Sequence, residues 1–163
     1  MRAWVVGGAV IEGPDGVLLV QNRRRNGRHD WTPPGGVIEI EDGEGLLDGL
    51  TREVLEETGL CVTRWEGPIY EISAAAPGLG WTLRVECYRA LEFEGEIAID
   101  DPDGIVVDAA YVALDECHGY LEGNHPWVVE PLLEFLADRW DGSRSFDYQI
   151  DGDEMASLVI TRV

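Results

Sequence analysis

Residues 44–60, EGLLDGLTREVLEETGL, decide how the rest of the chain is read. Glu53, Glu56 and Glu57 stand at i, i+3 and i+4, the spacings that bring side chains onto one face of an α-helix. Leu46, Leu47, Leu50, Val54 and Leu55 are expected on the other side, facing a core. Gly59 marks the helix end, because glycine adopts the positive φ of the C′ position without a Cβ penalty. Like charges one turn apart cost about 0.3 kcal/mol per pair, so a cluster of three calls for counter-charge. Arg52 can take one carboxylate. For the others the natural partner is a hard divalent cation held through oxygen, Mg²⁺ above all. The competing explanation is a solvated acidic face.

The string Arg52-Glu53-Val54-Leu55-Glu56-Glu57-Thr58-Gly59-Leu60 resembles the second half of the Nudix box, R-E-U-x-E-E-x-G-U with U aliphatic, at every fixed position. Glu44 precedes Arg52 with seven residues between them, as the box requires. Trp31-Thr32-Pro33-Pro34-Gly35-Gly36 resembles the approach to that box. By these motifs the chain resembles Nudix hydrolases of the MutT-like kind. One departure stands out. The family box opens with a glycine closer to the first Glu. Here Gly36 lies eight residues before Glu44, which implies a two-residue insertion between them.

The resemblance implies an α/β fold, the Nudix-type α/β/α sandwich built on a mixed β-sheet. It implies an activity as well: Mg²⁺- or Mn²⁺-dependent hydrolysis of the pyrophosphate linkage in a nucleoside diphosphate joined to another moiety, of nucleoside triphosphate or ADP-sugar type. Glu56 and Glu57 are then metal ligands, and Glu53 is a ligand or the general base. The Gly36 carbonyl is a further metal ligand, its reach put in question by the insertion. Glu44 and Arg52 complete the catalytic set by fixing the loop–helix geometry through pairing. A later loop is expected to add a carboxylate, with Asp101, Asp103 and Asp108 as candidates. The place of Pro77 beyond the box resembles that in ADP-ribose pyrophosphatases, although a lone proline in an Ala/Gly turn is more often just a turn residue. The alternative function is a Nudix-fold sensor that binds a nucleotide without cleaving it. Such sensors commonly lose box carboxylates, and this chain keeps them all.

Composition bounds the partners. The chain has 163 residues, 45% of them hydrophobic, enough for one domain with a full core. Its net charge of −20 argues against polymeric nucleic acid and anionic membrane as partners. A small nucleotide remains open, since metal ions and a few local arginines can hold its phosphates. The segment 22–29 contains Arg23, Arg24, Arg25 and Arg28, four of the twelve basic residues. It is either a solvated loop or electrostatic help for substrate phosphates. Cys61, Cys87 and Cys117 lack C-x-x-C spacing, which points to reduced thiols in a cytoplasmic protein rather than disulfides or zinc. No segment has the pattern of a signal peptide or the length of a membrane span.

Along the chain, residues 3–11 and 17–21 read as an opening hairpin around the turn at Glu12-Gly13-Pro14-Asp15-Gly16. Strands are expected at 62–73, 81–90 and 105–114, with a connection at 74–78 and an acidic loop at 91–103. Asp115 is expected to cap a short helix reaching Leu121. A second helix is expected from Asn124 or His125 to about Trp140, with Pro126 near its first position. Residues 1–140 read as the Nudix hydrolase domain and 141–163 as a C-terminal β-hairpin extension of it, closed by the Asp151-Gly152 turn. That hairpin could add strands, cover an edge or make a homodimer contact.

Overall fold

Alternation at a period of two runs through the first strands, and both faces are apolar. The computed structural model describes all residues from Met1 to Val163. The chain opens with β1 (Arg2–Val10), β2 (Glu12–Gly13) and β3 (Gly16–Arg23). Val10, Val17 and Leu19 point into one core cluster. Ala9, Ile11, Leu18 and Val20 point into a second. Strands apolar on both faces need cover on both. The helix α1 (Leu46–Thr58) covers the second cluster with Leu50 and Val54. The helices α2 (Cys117–Leu121) and α3 (Pro126–Asp138) cover the first with Leu121, Trp127, Leu132 and Phe135. The result is the expected α/β/α sandwich, built on one mixed and one antiparallel sheet.

The remaining strands are β4 (His29–Thr32), β5 (Gly35–Val37), β6 (Cys61–Ala76), β7 (Trp81–Glu94), β8 (Val106–Val112), β9 (Arg144–Asp151) and β10 (Val159–Arg162). The larger sheet runs β10-β9-β6-β7-β1-β5, with β1 parallel to β7 and β6 parallel to β9. The smaller one joins β2, β4 and β8 to β3. No helix is long and apolar enough to cross a membrane.

Several expectations need correction. The opening hairpin is only β2 with β3; β1 pairs instead with β7 and β5 in the other sheet. The chain changes sheets at Ile11, whose carbonyl still accepts from the Leu18 N–H at 2.8 Å. Residues 74–76 belong to β6 rather than to a connection, and 91–94 to β7. Helix α2 is flanked by Glu116 with no side-chain cap, so Asp115 does not cap it. Helix α3 ends at Asp138, and Trp140 folds back to donate its Nε1–H to the Ile69 carbonyl at 2.7 Å. The tail does form a hairpin and adds β9 to the sheet beside β6. Its connection, however, is the longer segment 152–158 rather than a tight Asp-Gly turn.

Candidate active site

Helix α1 delivers its acids to two directions. At about 100° per residue, Glu57 falls on the same side as Leu50 and Val54, so it points inward. It is only 8% exposed. Leu47 and Leu55, expected in the core, are turned outward and are 40% and 49% exposed. The helix therefore buries one of its carboxylates in place of two leucines. Glu57 Oε1 accepts the Gly35 N–H at 3.0 Å. Burial, chiefly, together with the neighbouring carboxylates of Glu53 and Asp101, pushes its pKa up to about 8. Burial also raises Glu53, against the pull of Arg52.

Two glycines allow this approach. A Cβ on Gly35, whose φ is +149°, would lie 2.1 Å from the Gly7 carbonyl oxygen across the sheet. A Cβ on Gly36 would lie 2.8 Å from the Glu53 carboxyl carbon. Gly36 and Glu53 thus meet at a distance that no side chain at position 36 would leave. The insertion does not pull the Gly-Gly pair away from the helix.

The insertion is instead absorbed by a short 3-10 turn, Ile40–Asp42, closed by Gly43 in the left-handed region. Glu44 follows this turn and meets Arg52. Its carboxylate takes both Nε and an Nη of Arg52, at 3.0 and 3.2 Å, and the Glu39 N–H at 3.2 Å. The Arg52 guanidinium beside it holds Glu44 below the usual carboxylate range. Arg52 reaches Glu53 and Glu56 as well, each at 3.3 Å. One arginine thereby ties three acids together.

All of these groups except Glu56, which was expected beside Glu57 as a ligand and is instead drawn to Arg52, line a cavity of about 870 Å³. Its wall includes Gly35, Gly36, Glu44, Arg52, Glu53 and Glu57. Of the candidates on the later loop, Asp101 and Asp103 reach it and Asp108 does not. Asp101 accepts the backbone N–H groups of Asp103, Ile105 and Val106 at 2.9–3.1 Å, which fixes this loop's own shape beside the cavity. Asp108 caps its own strand by accepting the Ala109 N–H. Glu39 and Asp42, from the segment that contains the insertion, also line the cavity. Sequence reasoning located the insertion but not these two acids; the run Glu39-Ile40-Glu41-Asp42 was the available signal.

None of Arg23, Arg24, Arg25 and Arg28 lines this cavity. Arg23 ends β3, and Arg24, Arg25 and Arg28 lie in the turn that joins it to β4. Arg24 grips Asp30 with two bonds of 2.7 and 2.9 Å, and Arg28 donates to the Gly123 carbonyl between α2 and α3. Arg23 and Arg25 make no ion pair. Pro77 opens the 3-10 turn between β6 and β7, where its carbonyl accepts the Gly80 N–H, so it serves as a turn residue. The three cysteines are free, and Cys87 and Cys117 are buried.

The donor set suits a hard divalent ion. It consists of carboxylates and backbone carbonyls, and the buried Glu57 carboxyl sits among like charges that a cation would offset. No three acidic, histidine or cysteine side chains are drawn together to ligand separation in the protein alone.

Together, a helix–sheet–helix sandwich and an acid-lined cavity at the Gly-Gly strand define a class of α/β proteins with a carboxylate site at the sheet edge. The family model for the NUDIX domain matches residues 1–136, and the chain belongs to that family. Among solved structures, the mutator MutT protein of Bacillus halodurans is 25% identical, with a TM-score of 0.65 over 96% of this chain and 97% of that one. The E. coli ORF135 protein shares the fold at 20% identity, with a TM-score of 0.69 over 86% of this chain and 96% of that one. Curated relatives are matched over shorter stretches. A human protein named m7GpppN-mRNA hydrolase NUDT17 is 34% identical over 87 residues, 45% of this chain and 24% of that protein. A human 8-oxo-dGDP phosphatase, NUDT18, is 40% identical over 57 residues, 35% of this chain and 17% of that protein. The chain therefore spans less than a quarter of the length of these relatives.

Proposed function

We propose that the protein hydrolyses the pyrophosphate linkage of a small nucleoside diphosphate-linked compound, with Mg²⁺ or Mn²⁺ as cofactor. The observation that carries this reading is the buried Glu57 carboxyl, held by the Gly35 N–H and facing Glu53 and Asp101 in one cavity. A buried acid with a strongly raised pKa in a cleft is costly for stability and useful for chemistry.

Glu53, Glu57 and the Gly36 carbonyl would hold the ion, and Glu56 would join them only by leaving its pair with Arg52. When bound, it supplies neutralisation of phosphate oxygens and an acidified water. The chain's own residues do the rest. The Glu44–Arg52 pair fixes the turn before α1 to the helix, so that Gly36 and Glu53 keep their close approach. Glu53, half-buried and raised in pKa, can accept the proton of an attacking water. Asp101 holds the 101–106 loop in place beside the site. On the β3–β4 hairpin, Arg23 and Arg25 are free of ion pairs and are the residues available to a substrate phosphate, while Arg24 and Arg28 brace the loop.

The test is phosphate and nucleotide release from a panel of nucleoside triphosphates, ADP-sugars and dinucleoside polyphosphates. Cleavage of at least one with Mg²⁺ or Mn²⁺, abolished by EDTA, is expected. Absence of cleavage across the panel, or full activity in EDTA, rejects the proposal.

A further inference from the structure

A second cavity, of about 230 Å³, lies on the α3 side of the larger sheet and plays no part in the chemistry above. Its walls include Val6 and Gly8 of β1, Pro33, Tyr70, Trp127 and Val128. In the register of β1 with β5, Val6 faces Val37 and Gly8 faces Gly35. Gly35 and Val37 line the carboxylate cavity. The two cavities therefore share one seam, β1 with β5, and β5 is the edge strand of its sheet. A diphosphate at the carboxylates can place its organic group in the second cavity by passing that edge.

The walls of the second cavity are unusual in what they lack. No carboxylate, amide, guanidinium or imidazole lines it. Its side-chain polar atoms are the Tyr70 hydroxyl, the Cys87 thiol and the Trp127 indole nitrogen. The first two are buried and interact with one another. The indole is clamped: His125 stacks on it with centroids 4.3 Å apart, and Trp81 and Tyr148 meet it edge-on. Such walls offer contact to the face of a flat ring and almost nothing to its rim. Purines and pyrimidines differ chiefly in their rim donors and acceptors. Sites that hydrogen-bond a substrate group reject its analogue by about 10⁴-fold or more, whereas apolar pockets discriminate by only about 10–200-fold.

Resting on the nucleotide hydrolase function proposed above, we infer that this cavity holds the nucleobase by its faces without reading its rim, so that the enzyme accepts nucleoside diphosphate compounds with little regard to the base. An oxidised guanine, altered only at its rim, gains no preference.

Two measurements on the full chain test this separately from hydrolysis. The first is calorimetric binding of AMP, GMP, CMP and UMP in EDTA. The second is kcat/KM for the four ribonucleoside triphosphates and 8-oxo-GTP with Mg²⁺. Kd values and kcat/KM values within about 10-fold of each other are expected, as for an apolar pocket. Val128→Trp, which fills the cavity from a partly exposed helix position, is expected to weaken all four monophosphates by a similar factor. Tyr70→Phe is expected to leave the ratios among bases unchanged. Preference for one base beyond about 10-fold, the lower end of what an apolar pocket gives, or unchanged binding in Val128→Trp, overturns the inference. Even binding of the monophosphates without any triphosphate cleavage supports the inference and rejects the hydrolase reading instead.

Discussion

Glu57 combines two requirements that ordinarily conflict, since it is an ionisable group placed where the helix should be apolar. Its consequences are measurable without substrate. In EDTA the folded carboxyl titrates near 8, well above the usual carboxylate range that it regains on unfolding. Between those values the folded state holds a proton that the unfolded state has lost, so stability falls as pH rises through this window. Metal-free Tm is expected to decrease from pH 5.5 to 8.5, and added Mg²⁺ to restore more of it at the alkaline end. Glu57→Gln should flatten the profile, because the amide oxygen still accepts the Gly35 N–H. The same change should lower kcat about a thousandfold, the equivalent of ~4 kcal/mol. A kcat above a tenth of wild type would remove Glu57 from the ligand set. Gly36→Ala makes the complementary point. A methyl group 2.8 Å from the Glu53 carboxyl carbon must push that carboxylate aside. An ångström of misplacement in a site costs about 100-fold, so kcat should fall by that order while Tm moves little. The identities of these residues were legible in the sequence because the box spacing is rigid. That Glu57 points inward was not, since i, i+4 spacing puts Glu53 and Glu57 on one side of the helix without saying how far that side turns toward the core.

At the scale of elements, the β3–β4 hairpin divides its arginines by role. Arg24 and Arg28 are spent on Asp30 and the Gly123 carbonyl, and Arg23 and Arg25 are not. If the hairpin meets substrate phosphate, Arg23→Ala and Arg25→Ala should raise KM several-fold with kcat unchanged, and added salt should mimic them. Unchanged kinetics in the double variant would return the loop to solvent. The elements that the sequence revealed best are those with a strong period and a clear stop. Helix α1 ends at Gly59, and the alternation of Leu83, Val85 and Cys87 runs through β7. What the sequence concealed depends on long-range pairing. Whether β1 turns back on β3 or crosses to β7 is decided by partners some eighty residues away, and alternation alone is the same in both cases. The insertion was visible as a spacing error, but its fold into a 3-10 turn that brings Glu39 and Asp42 to the cavity was not.

At the scale of the whole molecule, the tail is part of the sheet. Strand β9 lies between β6 and β10, and Phe146, Tyr148 and Ile150 are buried on it. Burying three such side chains contributes roughly 6 kcal/mol, a large share of the ~10 kcal/mol typical of a domain. Truncation after Trp140 is therefore expected to abolish cooperative thermal unfolding and expose the edge of β6. A truncated chain with near-native Tm would show the hairpin to be dispensable. The sequence displayed this hairpin but left its partner open, because a strand's alternation does not name its neighbour. The arginine hairpin carries a different consequence. The chain contains no lysine, so trypsin can cut only at arginines, and most of these are fastened to carboxylates on strands or helices. Arg25, exposed at a loop tip, offers the easiest bond. Brief digestion should yield two fragments that stay associated through the β3–β4 and β3–β8 ladders, giving a nicked protein that can be dissociated and reassembled to label either side of the active site alone.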